Sequence, residues 1–456
     1  MNRVFFIFIV IISFVPGLLF AEIDTLWTNK YEEYGFQNAE SVLEISDGGY
    51  IFTGEQGGHI YVARTNLQGE ILWVKSYIDT AYTDPYFMSK TDGGYIICGR
   101  WGGNIEKTDI YILKIDYSGD SLWAKTFGAD SLGEVAFCIK PTSDGGYILV
   151  GDTFYDIILL KTDSLGNIEW LQCYGGDGWD SGNGVVETDD GGYLVVGYGD
   201  YASILLVDSL GNEITHINDG MEYYSVIKSI DGDYVAAGAK WHSYGEYYTL
   251  YIAKFDSELN LLDWKEYGAF GDWSIGYSID NTSDGGYIIG GETGPALFYE
   301  DGYVLKVDAD LEKQWDMTFD VPNTQVEIFS VKETSDSCYI AAGMNGNYAW
   351  LLKLGEVQDV VSGDSTNIPN NYITLTSYPN PFNSTTEIKY YLPTNQNITL
   401  EIYDLFGRKV ETLYNGKQTA GYHKVNWNAK DYPSGIYFCK LTSAGKSVIK
   451  KMTLLK

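Results

Sequence analysis

Cysteine is scarce and unpaired in this sequence, five residues in 456 and an odd number, at Cys98, Cys138, Cys173, Cys338 and Cys439. No spacing recurs among them and no Cys-x-x-Cys occurs, which argues against a disulfide framework and a structural zinc and favours buried thiols acting as small hydrophobes. Histidine is scarcer still. His59, His216, His242 and His423 fall at unrelated positions without metal-ligand spacing, so a zinc hydrolase has little support. Basic residues are outnumbered, 30 Lys and Arg against 62 Asp and Glu, for a formal net charge of −32. Residues 373–456 reverse that sign with 11 basic against 5 acidic, which leaves −38 on the rest of the chain. A surface so acidic repels phosphate backbones and anionic membranes, so nucleic acid is not an expected partner. Long helix-forming stretches are missing too. One long apolar run stands at Val4 to Phe20, interrupted by Pro16-Gly17, after a positive start at Arg3 and before a small residue at Ala21. That order is expected of a secretory signal peptide over 1–21 rather than a membrane anchor, and no Cys follows to make a lipoprotein.

What is abundant is Tyr, with 39 copies, and Gly, with 52, a composition that favours an all-β chain with many tight turns. Most of that abundance is organised. Seven times the chain writes a turn, a Tyr, three mostly apolar residues and a Gly. Asp47-Gly-Gly-Tyr50, Asp92-Gly-Gly-Tyr95, Asp144-Gly-Gly-Tyr147, Asp190-Gly-Gly-Tyr193, Asp231-Gly-Asp-Tyr234, Asp284-Gly-Gly-Tyr287 and Asp336-Ser-Cys-Tyr339 are followed by Gly54, Gly99, Gly151, Gly197, Gly238, Gly291 and Gly343. The Tyr residues are 45, 52, 46, 41, 53 and 52 apart, the range of a β-propeller blade. Within a repeat, four short strands follow in up-and-down order. A Trp marks most fourth strands, at Trp73, Trp123, Trp170, Trp264 and Trp315, while Ile214–Ile217 lacks it. Six fourth strands serve seven turns, and the missing one is expected at Leu26 to Tyr31, pairing with the last repeat so that no sheet edge remains. Third strands carry Arg64, Lys114, Lys161, Lys254, Lys306 and Lys353, most with an Asp two residues on, which reads as a structural ladder of exposed ion pairs. The order of elements resembles the repeats of the outer-membrane assembly propeller and of pyrroloquinoline quinone enzymes, most nearly in the turn from Asp116 to Trp123. Those folds generally have eight blades, and the calcium-quinone constellation of the enzymes has no counterpart here, so the resemblance bears on architecture and not on activity.

After a polar stretch the pattern changes. Seven short alternating runs between Ile373 and Leu454 suggest an immunoglobulin-like β-sandwich. Tyr378-Pro-Asn-Pro-Phe382-Asn, Leu400-Glu-Ile-Tyr-Asp404-Leu-Phe-Gly407-Arg408, Ser434-Gly435-Ile-Tyr437 and Lys450-Lys451-Met stand there in order, and they resemble the C-terminal sorting domain (type A, Por) of type IX secretion cargo. The resemblance implies a Bacteroidetes-like bacterium, the type IX machinery as partner, and a cargo released or attached to surface lipopolysaccharide. The expected organisation is a signal peptide at 1–21, a seven-bladed β-propeller at 22–354, a linker at 355–372 and a sorting domain at 373–456.

In a propeller the hairpins between strands one and two and between three and four share one face, and here they are short and uniform. The connections on the other face vary, so binding is expected there. Aromatic residues beside carboxylates mark these loops: Trp101, Asp177, Trp179, Asp180, Trp241, His242, Tyr244, Asp272, Trp273 and Tyr299 are the candidate ligand contacts. Such pairs suit stacking on sugar rings or on a partner's side chains. No catalytic, cofactor or metal site is expected. The propeller holds only Arg64 and Arg100, too few for a sialidase-like cluster, and no Ser-x-Asp-x-Gly-x-Thr-Trp box occurs. Asp177, Asp180 and Asp272 are the candidates for Ca²⁺, but no Asp-x-Asp-x-Asp-Gly loop supports them. A secreted polysaccharide hydrolase or lyase and a structural surface component are the alternatives to a binding protein.

Overall fold

A computed structural model describes residues 23–77, 81–102, 107–128, 133–153, 155–295, 300–356, 374–378, 382–392, 394–405, 407–443 and 446–456. The expected signal peptide, Tyr299 and most of the expected linker lie outside these residues. The chain divides into two compact units between Asp359 and Val360.

Among the described residues the first unit contains seven four-stranded antiparallel sheets. Six of them read in chain order, as in Val135–Pro141, Tyr147–Asp152, Ile157–Thr162 and Ile168–Tyr174 of blade 3. The seventh is assembled from both ends of the unit: Val326–Glu333, Tyr339–Asn345 and Ala349–Glu356 are completed by Ile23–Lys30, which sets Lys30 opposite Trp350 and Ile23 opposite Glu356. Each first strand packs against the first strand of the next blade, and Val326–Glu333 returns to pack on Ser41–Glu44. The unit is therefore a closed seven-bladed propeller. Second and third strands are buried nearly end to end because neighbouring blades cover both faces, whereas outer strands such as Lys313–Phe319 alternate with solvent.

The repeated residues hold blade to blade. Trp27, Trp73, Trp123 and Trp170 each pack against the turn glycine between the third and fourth strands of the next blade, at Gly69, Gly119, Gly166 and Gly211, where a Cβ would come within 3 Å of the indole. Four residues after its Trp, the hydroxyl of Tyr31, Tyr77 or Tyr174 donates to the carbonyl of the same glycine, at 2.7, 2.7 and 2.5 Å. The repeat Tyr of the next blade also packs on the indole, with Trp27–Tyr50 and Trp315–Tyr339 centroids at 5.8 and 5.4 Å. The charged ladder differs from the expected exposed pairs. Lys161, Lys306 and Lys353 turn inward and bond the Asp of their own blade's hairpin, Asp144, Asp284 and Asp336, at 2.8, 2.9 and 2.9 Å. The Asp two residues on is occupied within its own turn: Asp116 and Asp163 each accept two backbone N–H groups at 2.8 Å. Lys114 is the exception. In blade 2 the hairpin closes one residue earlier, with Thr91 opposite Gly94, and Lys114 donates to Thr91 Oγ1 and the Tyr147 hydroxyl instead of to Asp92.

One feature of the repeat shapes the ring's interior. In blades 2 to 7, opposite the Gly that follows the Tyr by four residues, the first strand carries a β-bulge, between Pro85 and Phe87, Ala136 and Cys138, Gly182 and Gly184, Tyr223 and Ser225, Gly276 and Ser278, and Ile328 and Ser330. There the first strand crowds the second. A Cβ on Gly151, Gly197, Gly291 or Gly343 would stand 1.8 Å from a first-strand carbonyl oxygen, so no side chain fits.

The second unit is an immunoglobulin-like sandwich. Thr374–Tyr378, Thr385–Leu392 and Gly421–Asn428 form one sheet, and Lys409–Gln418, Gln396–Asp404, Gly435–Ser443 and Lys446–Leu454 form the other. Trp427 is buried in its core, with Phe382 and Tyr437 rings 5.4 and 5.1 Å away and Cys439 packed as an apolar group. The Asp404–Arg408 turn has Gly407 at φ 73°, and Asp404 accepts from the Arg408 backbone N–H at 2.9 Å and from its Nε at 2.7 Å.

Candidate functional site

In blades 2 to 7 the bulged residue of the first strand is pushed toward the axis of the ring, near the face that carries the variable loops. In blades 2, 3, 5, 6 and 7 it is aromatic: Tyr86, Phe137, Tyr224, Tyr277 and Phe329, all half-buried. Asn183 holds the position in blade 4, and in blade 1 Glu40 stands at the equivalent place, just before the first strand. The rings touch around the axis, with centroids 5.2 Å apart for Tyr86–Phe137, 5.5 Å for Tyr224–Tyr277 and 6.0 Å for Tyr277–Phe329. From Tyr224 the aromatic surface runs outward over blades 5 and 6. The hydroxyls of Tyr224 and Tyr248 donate to the two oxygens of Glu222 at 3.1 and 2.9 Å, and Tyr248 in turn packs on Trp241 and Trp273 at 4.8 and 5.2 Å.

Carboxylates are set between these rings. Tyr277 donates to Glu292 at 2.9 Å, Ser181 to Asp152 at 3.0 Å, and Arg100 pairs with Asp84 at 3.1 Å. Burial makes ionisation costly here. It pushes Glu292 up to about 8, with the Glu327 charge adding to it, and Glu327 itself up to about 7. Asp84 and Asp152 are pushed up to about 6 by the same cause, and Glu40 rises well above the ordinary glutamate range. Near neutral pH this surface presents protons as well as acceptors between aromatic faces.

The candidate contacts taken from the sequence fall in different places. Trp241 and Trp273 meet edge to face at 6.4 Å and belong to the strip. His242, next along the strand from Trp241, points elsewhere: its ring stacks on Tyr247 at 4.7 Å and its Nε2 lies 3.1 Å from Glu266. Tyr244 is exposed and lies 6.2 Å from Phe270. Trp179, 66% exposed, stands on another blade edge-on to Tyr155 at 6.1 Å, beside exposed Asp177. Asp180 is buried and fastens its loop, accepting from the Tyr201 and Gly176 N–H groups at 2.7 and 3.3 Å. Asp272 opens the first strand of blade 6, so it and Asp180 lie on separate blades. Trp101 packs, partly buried, on the core between blades 1 and 2. Among the described residues no three His, Cys, Asp or Glu side chains converge as metal ligands. The residues that sequence reasoning passed over are the bulged ones and their carboxylates. A signal exists: Phe137, Tyr224, Tyr277 and Phe329 each stand seven residues before the Asp of the repeat.

Residues 376–454 match the family described as the secretion system C-terminal sorting domain. This segment is a type IX sorting domain. Such a domain marks proteins that are secreted or attached at the cell surface, so the propeller is its cargo. The core of the sorting domain uses the blocks seen in the sequence, since Phe382 and Tyr437 are the rings that pack on Trp427. A comparison with curated protein sequences finds no match. Among solved structures, a protein of unknown function from Bacteroides caccae is 12% identical, with a TM-score of 0.41, over 59% of this chain and 94% of that one. PorZ, a surface component of the type IX secretion system of Porphyromonas gingivalis, is 9% identical with a TM-score of 0.28 over 92% of this chain and 81% of its own. A gluconolactonase from Xanthomonas campestris is 10% identical with a TM-score of 0.37, over 66% and 91%. Likenesses this loose transfer neither activity nor ligand. Among the described residues no helix is long and apolar enough to cross a membrane.

Proposed function

We propose that the propeller is an exported carbohydrate-binding module whose ligand lies along the aromatic strip of blades 5 to 7, with the sorting domain delivering it to the cell exterior. The observation that carries this reading is the continuity of the strip, from Trp241, Tyr248 and Trp273 through Glu222 to Tyr224, Tyr277 and Phe329. Flat apolar faces alternating with hydrogen-bonding carboxyls suit successive sugar rings. Glycan-array binding of the purified protein tests it. Trp241→Ala and Trp273→Ala are each expected to weaken binding about tenfold, the loss of roughly 1.4 kcal/mol, and Trp179→Ala to leave it unchanged. A glycan bound equally well by the first two variants would overturn the site, and binding of a protein partner alone would overturn the ligand class.

A second reading, cleavage of the bound polysaccharide, is favoured by one observation. Glu292 and Glu327, pushed up by burial to about 8 and about 7, have the proton affinity of general acids. Glycan turnover abolished by Glu292→Gln would establish it, and bound glycan recovered intact would remove it.

A further inference from the structure

Beneath the aromatic level the first strands carry a second tier of side chains, nearer the hairpin face. Residues two past the bulge, such as Ile139, Ile279 and Val331, and Val42 at the equivalent place in blade 1, are buried between blades. Strand alternation therefore turns the residues one and three past the bulge toward the axis. At the third position blades 3, 6 and 7 place Lys140, Asp280 and Lys332, and others place aliphatic groups including Leu43, Val186 and Ile227. Lys332 Nζ pairs with Asp280 Oδ1 at 3.3 Å, the two side chains 26% and 27% exposed. Lys140 has no such partner. Its Nζ lies 4.4 Å over the Phe87 ring, with no hydrogen-bond acceptor or carboxylate in contact among the described residues. Burial holds this amine below the ordinary lysine range, and Lys332 acts in the same direction across the channel.

The buried third-strand lysines all have hydrogen-bond partners, Lys114 in the Thr91 and Tyr147 hydroxyls. Lys161, Lys306 and Lys353, buried on third strands, each have a carboxylate at 2.8 to 2.9 Å. The inner tier sets two ammonium groups against one carboxylate, among aliphatic side chains, the Phe87 ring, the Cys138 thiol and serine hydroxyls such as Ser89. Two like charges that face the same channel repel one another, and a counterion between them relieves that repulsion. We propose that the hairpin-side end of the channel is an anion site, in which one small oxyanion bridges Lys140 and Lys332. Asp280 orients Lys332 and lowers the charge of the site, which suits a single phosphate, sulfate or carboxylate group. Phe87 supports the Lys140 ammonium from its ring face. The group is either a free inorganic ion or the charged terminus of a larger molecule, and it occupies a place separate from the aromatic strip.

Calorimetric titration of the full-length protein tests the proposal, with inorganic phosphate, inorganic sulfate and glucuronate in separate arms and chloride held constant. Saturable binding is expected in at least one arm, weakened tenfold or more by Lys140→Met and by Lys332→Met, and largely restored by Lys140→Arg. Binding to phosphate or sulfate assigns a free ion. Binding to glucuronate alone assigns a charged sugar. No saturable binding in any arm, or binding indifferent to both methionine variants, overturns the site. Circular dichroism of each variant checks folding, and should Lys140→Met fail to fold, Lys332→Met and Lys140→Arg decide the outcome. Because the strip is untouched, Trp241→Ala should bind the anion normally even where glycan binding is lost.

Discussion

Glu292 is the residue whose neighbourhood has the most measurable consequence. It is buried, accepts one hydrogen bond from Tyr277 at 2.9 Å, and shares its surroundings with Glu327. The folded protein holds its proton up to about 8, whereas an unfolded glutamate releases it near 4.5. The folded state thus binds more protons through that window, and stability falls as pH rises across it. Asp231 acts oppositely: hydrogen bonds from Lys254 and Ser229 hold it down to about 2, so its contribution is present above the ordinary aspartate range and is lost as pH falls toward 2. The melting temperature of wild-type protein is expected to drop between pH 5 and 8. In Glu292→Gln, where a neutral amide replaces the carboxyl, that drop should shrink by several degrees. Equal slopes in the two proteins would show that Glu292 is not the group that titrates. None of this is legible in the sequence, where Glu292 is one acid among 62 Asp and Glu. What sets it apart is its position after Gly291, at a place where the strands converge.

At the scale of the element, the bulged first strand joins scaffold and candidate site. The invariant Gly reads in the sequence as a turn or packing residue, and its physical role is to let the second strand approach the bulge. The bulge, in turn, aims Tyr224, Tyr277 or Phe329 at the axis. Gly291→Ala would place a Cβ 1.8 Å from the Ile275 carbonyl oxygen, an overlap relieved only by opening the pair. Urea denaturation is expected to show a loss of about 3 kcal/mol, with the larger part of the glycan affinity lost as well. A variant of wild-type stability would mean that the blade absorbs the displacement elsewhere. Sequence reasoning located this element because strand, turn and strand repeat seven times. It placed the candidate contacts on loops, however, because a bulge adds one residue without changing composition. Trp241 and Trp273 were legible as aromatics of the variable connections, although the structure sets both in strands, while Tyr277 and Phe329 look like ordinary strand aromatics until the pairing register is known.

For the whole molecule, closure and export are separate tasks in separate units. Ile23–Lys30 completes the seventh blade, so the ring holds its two ends by one strand pairing, reinforced where Ser335 donates to Glu44 at 2.9 Å. The sorting domain contributes delivery. Deletion of 373–456 is expected to leave a folded propeller in the periplasm, measured by cell fractionation, and a truncated protein still recovered outside the outer membrane would contradict the assignment of export to this domain. By itself the sequence determined the all-β class, the seven repeats, the sandwich and its sorting blocks, because each rests on local periodicity, turn chemistry or a contiguous motif. The tertiary structure alone decided which acid each lysine pairs with, which aromatic rings face the axis and which carboxyls keep their protons. Those properties depend on the register between strands and on burial by neighbouring blades, and the residues that create them stand tens to hundreds of positions apart in the chain.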